Sequence, residues 1–112
     1  EYWLRLGKAQ VRFAYLEEKL AGSRLYAENK TLGSRVKVHR EINDMFKKLF
    51  GRVPDRWLSN YAHVLVEQRS PRECNTTFFS IQVGVNLFLS SLKWNRCISA
   101  AMCKTVFSWI RG

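Results

Sequence analysis

Apolar residues recur at helical spacing at the start of the chain. Over residues 2–27 they are separated alternately by three and four positions, which places them on one face of a helix. The face consists of Leu6, Ala9, Phe13, Leu16 and Leu20. Basic residues occupy another side of the same segment. The pattern predicts one long amphipathic helix over residues 2–27.

Hydroxyl and proline residues mark the next helix boundaries. A second helix is predicted to begin near Thr31 or Ser34, either of which can cap its first turn. Pro54 ends that helix and can open the first turn of a third one, which is predicted to reach Gln68. A last amphipathic helix fits residues 97–111. The apolar face predicted for the second helix is Val38, Ile42, Met45 and Leu49.

Residues 77–94 fit two patterns. Apolar residues alternate from Ile81 to Leu89, which is typical of a strand, but a spacing of three and four also connects Phe78 to Leu92. Because no other segment resembles a strand, a lone strand would leave its backbone groups unpaired, and we predict a helix. It contains only about 16 mostly apolar residues, whereas a bilayer-spanning helix needs about 20.

These elements predict an all-α fold, a compact bundle of about five helices with a long antiparallel first pair. The length of 112 residues fits a single domain over residues 1–112. A chain of this size buries enough surface to form a core without a metal ion or a disulfide.

The chain is strongly basic, with 19 Lys and Arg against 9 Asp and Glu and a net charge of +10. Such an excess indicates an acidic partner, which can be nucleic acid, an anionic membrane or an acidic glycoprotein. Basic residues on the first two predicted helices and just beyond them would form one or two cationic tracks, and scattered solvated charge is the alternative. The predicted track residues are Arg5, Lys8, Arg12, Lys37, Arg40, Lys47, Lys48, Arg52 and Arg56.

The C-terminal third is both apolar and cationic. Residues 77–112 contain four basic residues and no acidic residue. Because residues 77–94 are apolar on several sides, they form either the central helix of the bundle or a patch for a membrane or a partner. The residues predicted for that patch, including two from the last helix, are Phe78, Phe79, Val83, Leu87, Trp94, Phe107 and Trp109.

Signals for catalysis are weak. The sequence contains no Gly-rich phosphate loop and no Gly-x-Ser-x-Gly motif. Glu17 and Glu18 are adjacent, so on a helix they would point about 100° apart instead of acting as a pair. Neither His39 nor His63 has an identifiable catalytic partner. We therefore predict no enzyme, no catalytic residue, no metal site and no cofactor.

The cysteines do not have the spacing of a zinc site. Cys74 could form a disulfide with either Cys97 or Cys103, and three buried free thiols are the alternative. Glycosylation sequons begin at Asn29 and Asn75 and matter only in a secreted chain. The chain begins with Glu and not with Met, which fits a fragment or a processed mature protein.

Three short motifs occur in the same order as in a known protein family. They are Lys30-Thr31-Leu32 at the start of the second helix, Ile42-Asn43 within it, and Trp57-Leu-Ser-Asn60-Tyr61 in the third, with a basic end at Arg69. Over residues 8–72 the chain resembles the abalone sperm acrosomal protein family, which includes the egg-coat-dissolving lysin and its fusion-promoting paralogue. Pro54 departs from the family pattern, whereas the three cysteines and the apolar C-terminal third are closer to the fusion-promoting member.

The resemblance implies a secreted, lysin-like helical bundle that is stored in the sperm acrosomal vesicle and acts at fertilisation without catalysis. Our first hypothesis is that the protein binds egg membrane lipids and promotes sperm–egg fusion, by electrostatic docking followed by insertion of apolar side chains. The second is a lysin that binds egg-coat glycoprotein and dissolves the vitelline envelope. The third is a basic helical module that binds nucleic acid. A homodimer is a further candidate assembly.

Overall fold

The computed structural model describes residues 2–22, 34–69 and 76–111, and within these ranges the chain forms five helices and no strand. The predicted all-α bundle is therefore confirmed, and residues 77–94 belong to a helix as expected. Thr31, one of the two predicted starts of the second helix, lies outside the described residues. In chain order the helices are α1 (Tyr2–Lys8), α2 (Arg35–Phe50), α3 (Asp55–Arg69), α4 (Thr76–Asn95) and α5 (Ala100–Arg111).

The first helix is much shorter than predicted. It ends at Lys8, and residues 9–22 are not helical. The prediction of one helix over residues 2–27 is therefore wrong for residues 9–22. Gln10 ends α1 because its backbone is left-handed, with a φ of 56°. The N–H of Gln10 binds the carbonyl of Gly7 at 3.1 Å, and the N–H of Val11 binds that of Leu6 at 3.2 Å. These are the two hydrogen bonds of a Schellman cap.

The break between α2 and α3 lies where the sequence predicts it. Gly51 follows α2 with a left-handed φ of 71° and donates its N–H to the carbonyl of Lys47 at 2.9 Å. Val53 is fully buried, and both its N–H and its carbonyl bind the side-chain amide of Asn95 at 2.8 Å. The connection before Pro54 is thereby fixed to the end of α4.

Helices α2 to α5 pack in alternating directions. Arg35 at the start of α2 forms an ion pair of 2.9 Å with Glu67 near the end of α3. Phe46 near the end of α2 lies against Trp57 near the start of α3, with ring centres 5.7 Å apart. α4 packs on α2, α3 and α5, so it is the central helix of the bundle.

The crossing of α4 and α5 requires a glycine. A Cβ atom at Gly84 would lie 2.7 Å from Cγ1 of Val106, so a larger residue would push the two helices apart. Ser99 caps α5, because its hydroxyl accepts the N–H of Met102 at 3.1 Å. α5 begins at Ala100, so the helix predicted over residues 97–111 starts later than expected.

One apolar core is shared by α2 to α5. α2 contributes Val36 and Phe46, which are half-buried, together with the enclosed Asn43. The face predicted for α2 is instead only half-buried, because α2 is turned so that a different side meets Trp57 of α3. The buried core residues are Val53, Leu58, Tyr61, Ala62, Val66, Val83, Leu87, Trp94, Met102 and Val106.

Candidate functional site

One face of α4 exposes a row of large apolar side chains, which we call the α4 stripe. The row consists of Phe78, Ile81, Val85, Leu89 and Leu92. These residues are three or four positions apart and therefore share one side of the helix. Val85 is 51% exposed and Leu89 is 60% exposed. Apolar patches of this extent mark interaction sites on folded proteins. None of the described helices is long and apolar enough to cross a bilayer.

The opposite face of α4 is buried, which corrects the predicted patch. Val83, Leu87 and Trp94 are predicted for an exposed patch, but all three side chains lie in the core, as the alternative of a central helix implies. Phe79 and Trp109 are half-buried against the same core. The reason is that α2, α3 and α5 all pack on this side of α4. The exposed members of the predicted patch are Phe78 and Phe107.

Small residues explain which face of α4 is buried. Gly84, Ser90 and Ser91 are buried beside the core residues of the helix, and they let neighbouring segments come close. The Ser90 hydroxyl donates to the carbonyl of Asn86 at 2.7 Å, so its polar atom is paired inside the bundle. This row of small residues is the sequence signal that would have identified the buried face.

The sequence of α4 and α5 carries an excess of positive charge. These helices and their connection contain Lys93, Arg96, Lys104 and Arg111, all exposed, and no acidic residue. The ammonium of Lys93 lies 4.4 Å from the ring centre of Trp94, a cation–π distance. Large apolar side chains and cations are therefore presented together by the C-terminal third.

The predicted basic track is exposed but is not one continuous row. Lys47 donates to the carbonyl of Gly51 at 2.8 Å, and Lys8 donates to that of Leu49 at 3.1 Å. Both ammonium groups thus neutralise the partial negative charge at the C-terminal end of α2. Arg12, which is predicted on the first helix, lies in the non-helical segment instead.

Other parts of the predicted tracks lie beside acidic residues. Arg52 lies 3.6 Å from the carboxylate of Asp55. On α2 the basic row is interrupted by Asp44, whose carboxylate accepts the indole N–H of Trp94 at 2.7 Å. The remaining exposed track residues are Arg5, Lys37, Arg40, Lys48 and Arg56.

The cysteines do not fit the hypothesis of three buried thiols. Cys97 is exposed in the connection between α4 and α5, and Cys103 is half-buried on α5. Both are free thiols in the described part of the chain. Each disulfide that the sequence leaves open involves Cys74. Cys74 lies outside the described residues.

Asn43 is a polar residue enclosed on the core side of α2. Its side chain is 0% exposed, and neither atom of its amide has a hydrogen-bond partner. His39, one turn earlier on α2, also buries its Nδ1 without a partner. An unpaired buried polar group costs about 1–3 kcal/mol. The side of α2 that meets the core therefore carries two unpaired polar groups.

Burial lowers the pKa of both histidines, which favours the neutral imidazole. Burial lowers the pKa of His39 below its ordinary value of 6.5, and the nearby Arg35 lowers it further. His63 lies between the rings of Phe79 and Trp109, with centres at 6.0 and 5.3 Å. Burial lowers its pKa as well, although the carboxylate of Glu67 acts in the opposite direction.

The bundle is expected to lose stability as the pH falls below 6.5. A histidine with a lowered pKa in the folded state stabilises the fold fully above its ordinary pKa of 6.5. That contribution is lost as the pH falls through the folded-state pKa, because the unfolded chain then binds more protons. Urea unfolding at pH 7 and pH 5.5 measures the change. The double variant His39→Gln and His63→Gln should show a smaller loss, and an equal loss would contradict the assignment.

Comparisons with protein-family models, with curated proteins and with solved structures found no match to this chain. They therefore neither support nor contradict the resemblance suggested by the short motifs. The features of the molecule that bear on function are therefore the α4 stripe and the charges that accompany it.

Proposed function

We propose that this protein binds anionic membrane surfaces through the α4 stripe, disturbs their lipid packing and thereby promotes membrane fusion. The observation that carries the proposal is the row of exposed apolar side chains along α4, on the side opposite to the core. Moving the exposed halves of five large side chains out of water contributes on the order of 5 kcal/mol. That is enough to hold the bundle at a lipid surface.

Positive charge supplies the first step of binding. Each Lys or Arg close to an anionic bilayer contributes about 1 kcal/mol of attraction. The C-terminal third carries four such residues and no acidic residue that would be repelled. Electrostatic attraction then brings the α4 stripe to the boundary between headgroups and acyl chains, where apolar side chains are buried.

The same charges favour lipid over a second copy of the chain. A homodimer built on the α4 stripe would bring the C-terminal thirds of two chains together, and each contains four basic residues and no acidic residue. Like charges oppose such an interface, whereas an anionic headgroup layer is complementary to them.

The biological setting is proposed from the family resemblance. In that setting a secreted, non-enzymatic protein is released from the sperm acrosomal vesicle and meets the lipids of the egg membrane. Binding to egg-coat glycoprotein or nucleic acid would depend chiefly on the basic track. Several of its members are already engaged with carbonyl or carboxylate groups, so the described structure adds no observation in favour of those alternatives.

Vesicle binding tests this proposal. Phosphatidylcholine vesicles with and without phosphatidylserine are mixed with the protein at low and at high salt, and binding and lipid mixing are measured. We expect both with anionic vesicles, a decrease with salt and little of either with neutral vesicles. Absence of binding to anionic vesicles would overturn the proposal. Tight, salt-dependent binding to duplex DNA without vesicle binding would instead support the nucleic-acid hypothesis.

A further inference from the structure

The N-terminal segment has the sequence of an amphipathic helix but does not form one. Apolar residues continue the face of α1 beyond its end, at Ala9, Phe13, Leu16 and Leu20. In the structure residues 11–22 are irregular and exposed. Sequence pattern and conformation therefore disagree in this segment.

The basic residues of the segment show the same disagreement between sequence pattern and conformation. In a continuous helix with about 3.6 residues per turn, Arg5, Lys8, Arg12 and Lys19 would form one line directly beside the apolar face. Such a line of cations along one edge of an apolar face is typical of helices that lie in the plane of an anionic membrane. In the observed conformation Arg12 and Lys19 are outside the helix, and the line does not exist.

The cap at Gln10 keeps the segment out of the helix. Its left-handed backbone, with a φ of 56°, is unfavourable for a residue other than glycine. A helix of 14 further residues without a surface to bury its apolar face is only marginally stable in water. In the structure no such surface covers Phe13, Leu16 or Leu20, which are all more than half exposed.

We infer that residues 9–22 convert to a helix continuous with α1 when the protein binds an anionic membrane surface. The inference rests on the proposed function, because the membrane supplies the missing surface. Apolar side chains of the segment enter the headgroup boundary, and Arg5, Arg12 and Lys19 meet lipid phosphates. Backbone groups that leave water must then pair with each other, which favours the helix. Lys8, bound to the carbonyl of Leu49, keeps the new helix attached to α2.

Hydrogen exchange of the full chain tests this conversion. Amides of residues 12–22 should exchange rapidly in solution and become protected on phosphatidylserine-containing vesicles, whereas those of residues 9–11 are already hydrogen-bonded at the end of α1. Glu18→Pro blocks an interior helical turn without removing an apolar or basic residue, and Glu18→Ala is its matched control because it loses the same charge. We expect protection in the wild type and in Glu18→Ala but not in Glu18→Pro. The proline variant should also bind vesicles at least about tenfold more weakly than the alanine variant.

Gln10 provides a second, independent pair of variants. Gln10→Gly stabilises the left-handed cap and weakens the helix, whereas Gln10→Ala does the reverse. Vesicle affinity should therefore be lower for the glycine variant, by roughly fivefold to tenfold. Binding of the wild type without protection of residues 12–22 would overturn the inference and leave the proposed function standing. A wild type that does not bind anionic vesicles at all would overturn the proposed function and the inference with it.

Discussion

Replacing Val85 and Leu89 together by glutamine is expected to weaken binding to anionic vesicles by about two powers of ten. These two side chains lie at the middle of the α4 stripe, and both are more than half exposed. The loss has two causes: apolar area no longer leaves water on binding, and two amides must enter the headgroup boundary. Vesicle sedimentation across a range of lipid concentrations measures the partition coefficient.

The fold should tolerate this change. Because both side chains point away from the core, the free energy of unfolding should change by no more than about 0.5 kcal/mol. The control is Val85→Ile with Leu89→Met, which keeps the stripe apolar and should bind as the wild type does. Unchanged binding of the glutamine pair would show that another surface makes the membrane contact.

Asn43→Leu is expected to raise the free energy of unfolding by about 1–2 kcal/mol. Leucine has the same number and branching of side-chain heavy atoms, and it removes an enclosed amide that has no hydrogen-bond partner. The gain is limited because leucine is bulkier in a site with 0% exposure, which costs part of the benefit. Urea unfolding monitored by circular dichroism measures the difference.

The control for this prediction is Asn60→Leu on α3, where the side chain is exposed. It changes helix propensity in the same way without relieving a buried amide, so its effect should be smaller than that of Asn43→Leu. A destabilised Asn43→Leu variant would mean that the amide binds a group, such as an enclosed water molecule, whose loss outweighs the gain.

The sequence predicts that α4 is a helix but does not predict which of its faces is buried. The alternation from Ile81 to Leu89 favours a strand. A helix is predicted because the chain offers no second strand that could pair with this one. Both sides of α4 are apolar, so hydrophobicity alone cannot identify the buried one. The decision depends on Gly84 and on the two buried serines, because they allow close packing that larger residues on the stripe do not.

The other errors have local causes. On α2 the apolar face is the better candidate for the core from the sequence, yet the helix buries the side with Asn43. A single polar residue in the core has no sequence signature. On α1 the apolar spacing continues past Lys8, but helical spacing describes a helix only where a partner buries its face. Arg12 does not extend the predicted basic track, since it needed a longer α1 to align with α2.

The paired hydrogen bonds between Asn95 and Val53 fasten the bundle at one end. The indole of Trp94 is bound to Asp44 at the same end, and the hydroxyl of Ser99 is bound to Asp55. The start of α4 is held differently, by the contact of Phe79 with the ring of His63. The directional hydrogen bonds at the end of α4 therefore set the register in which α2, α3, α4 and the start of α5 meet at that end of the bundle.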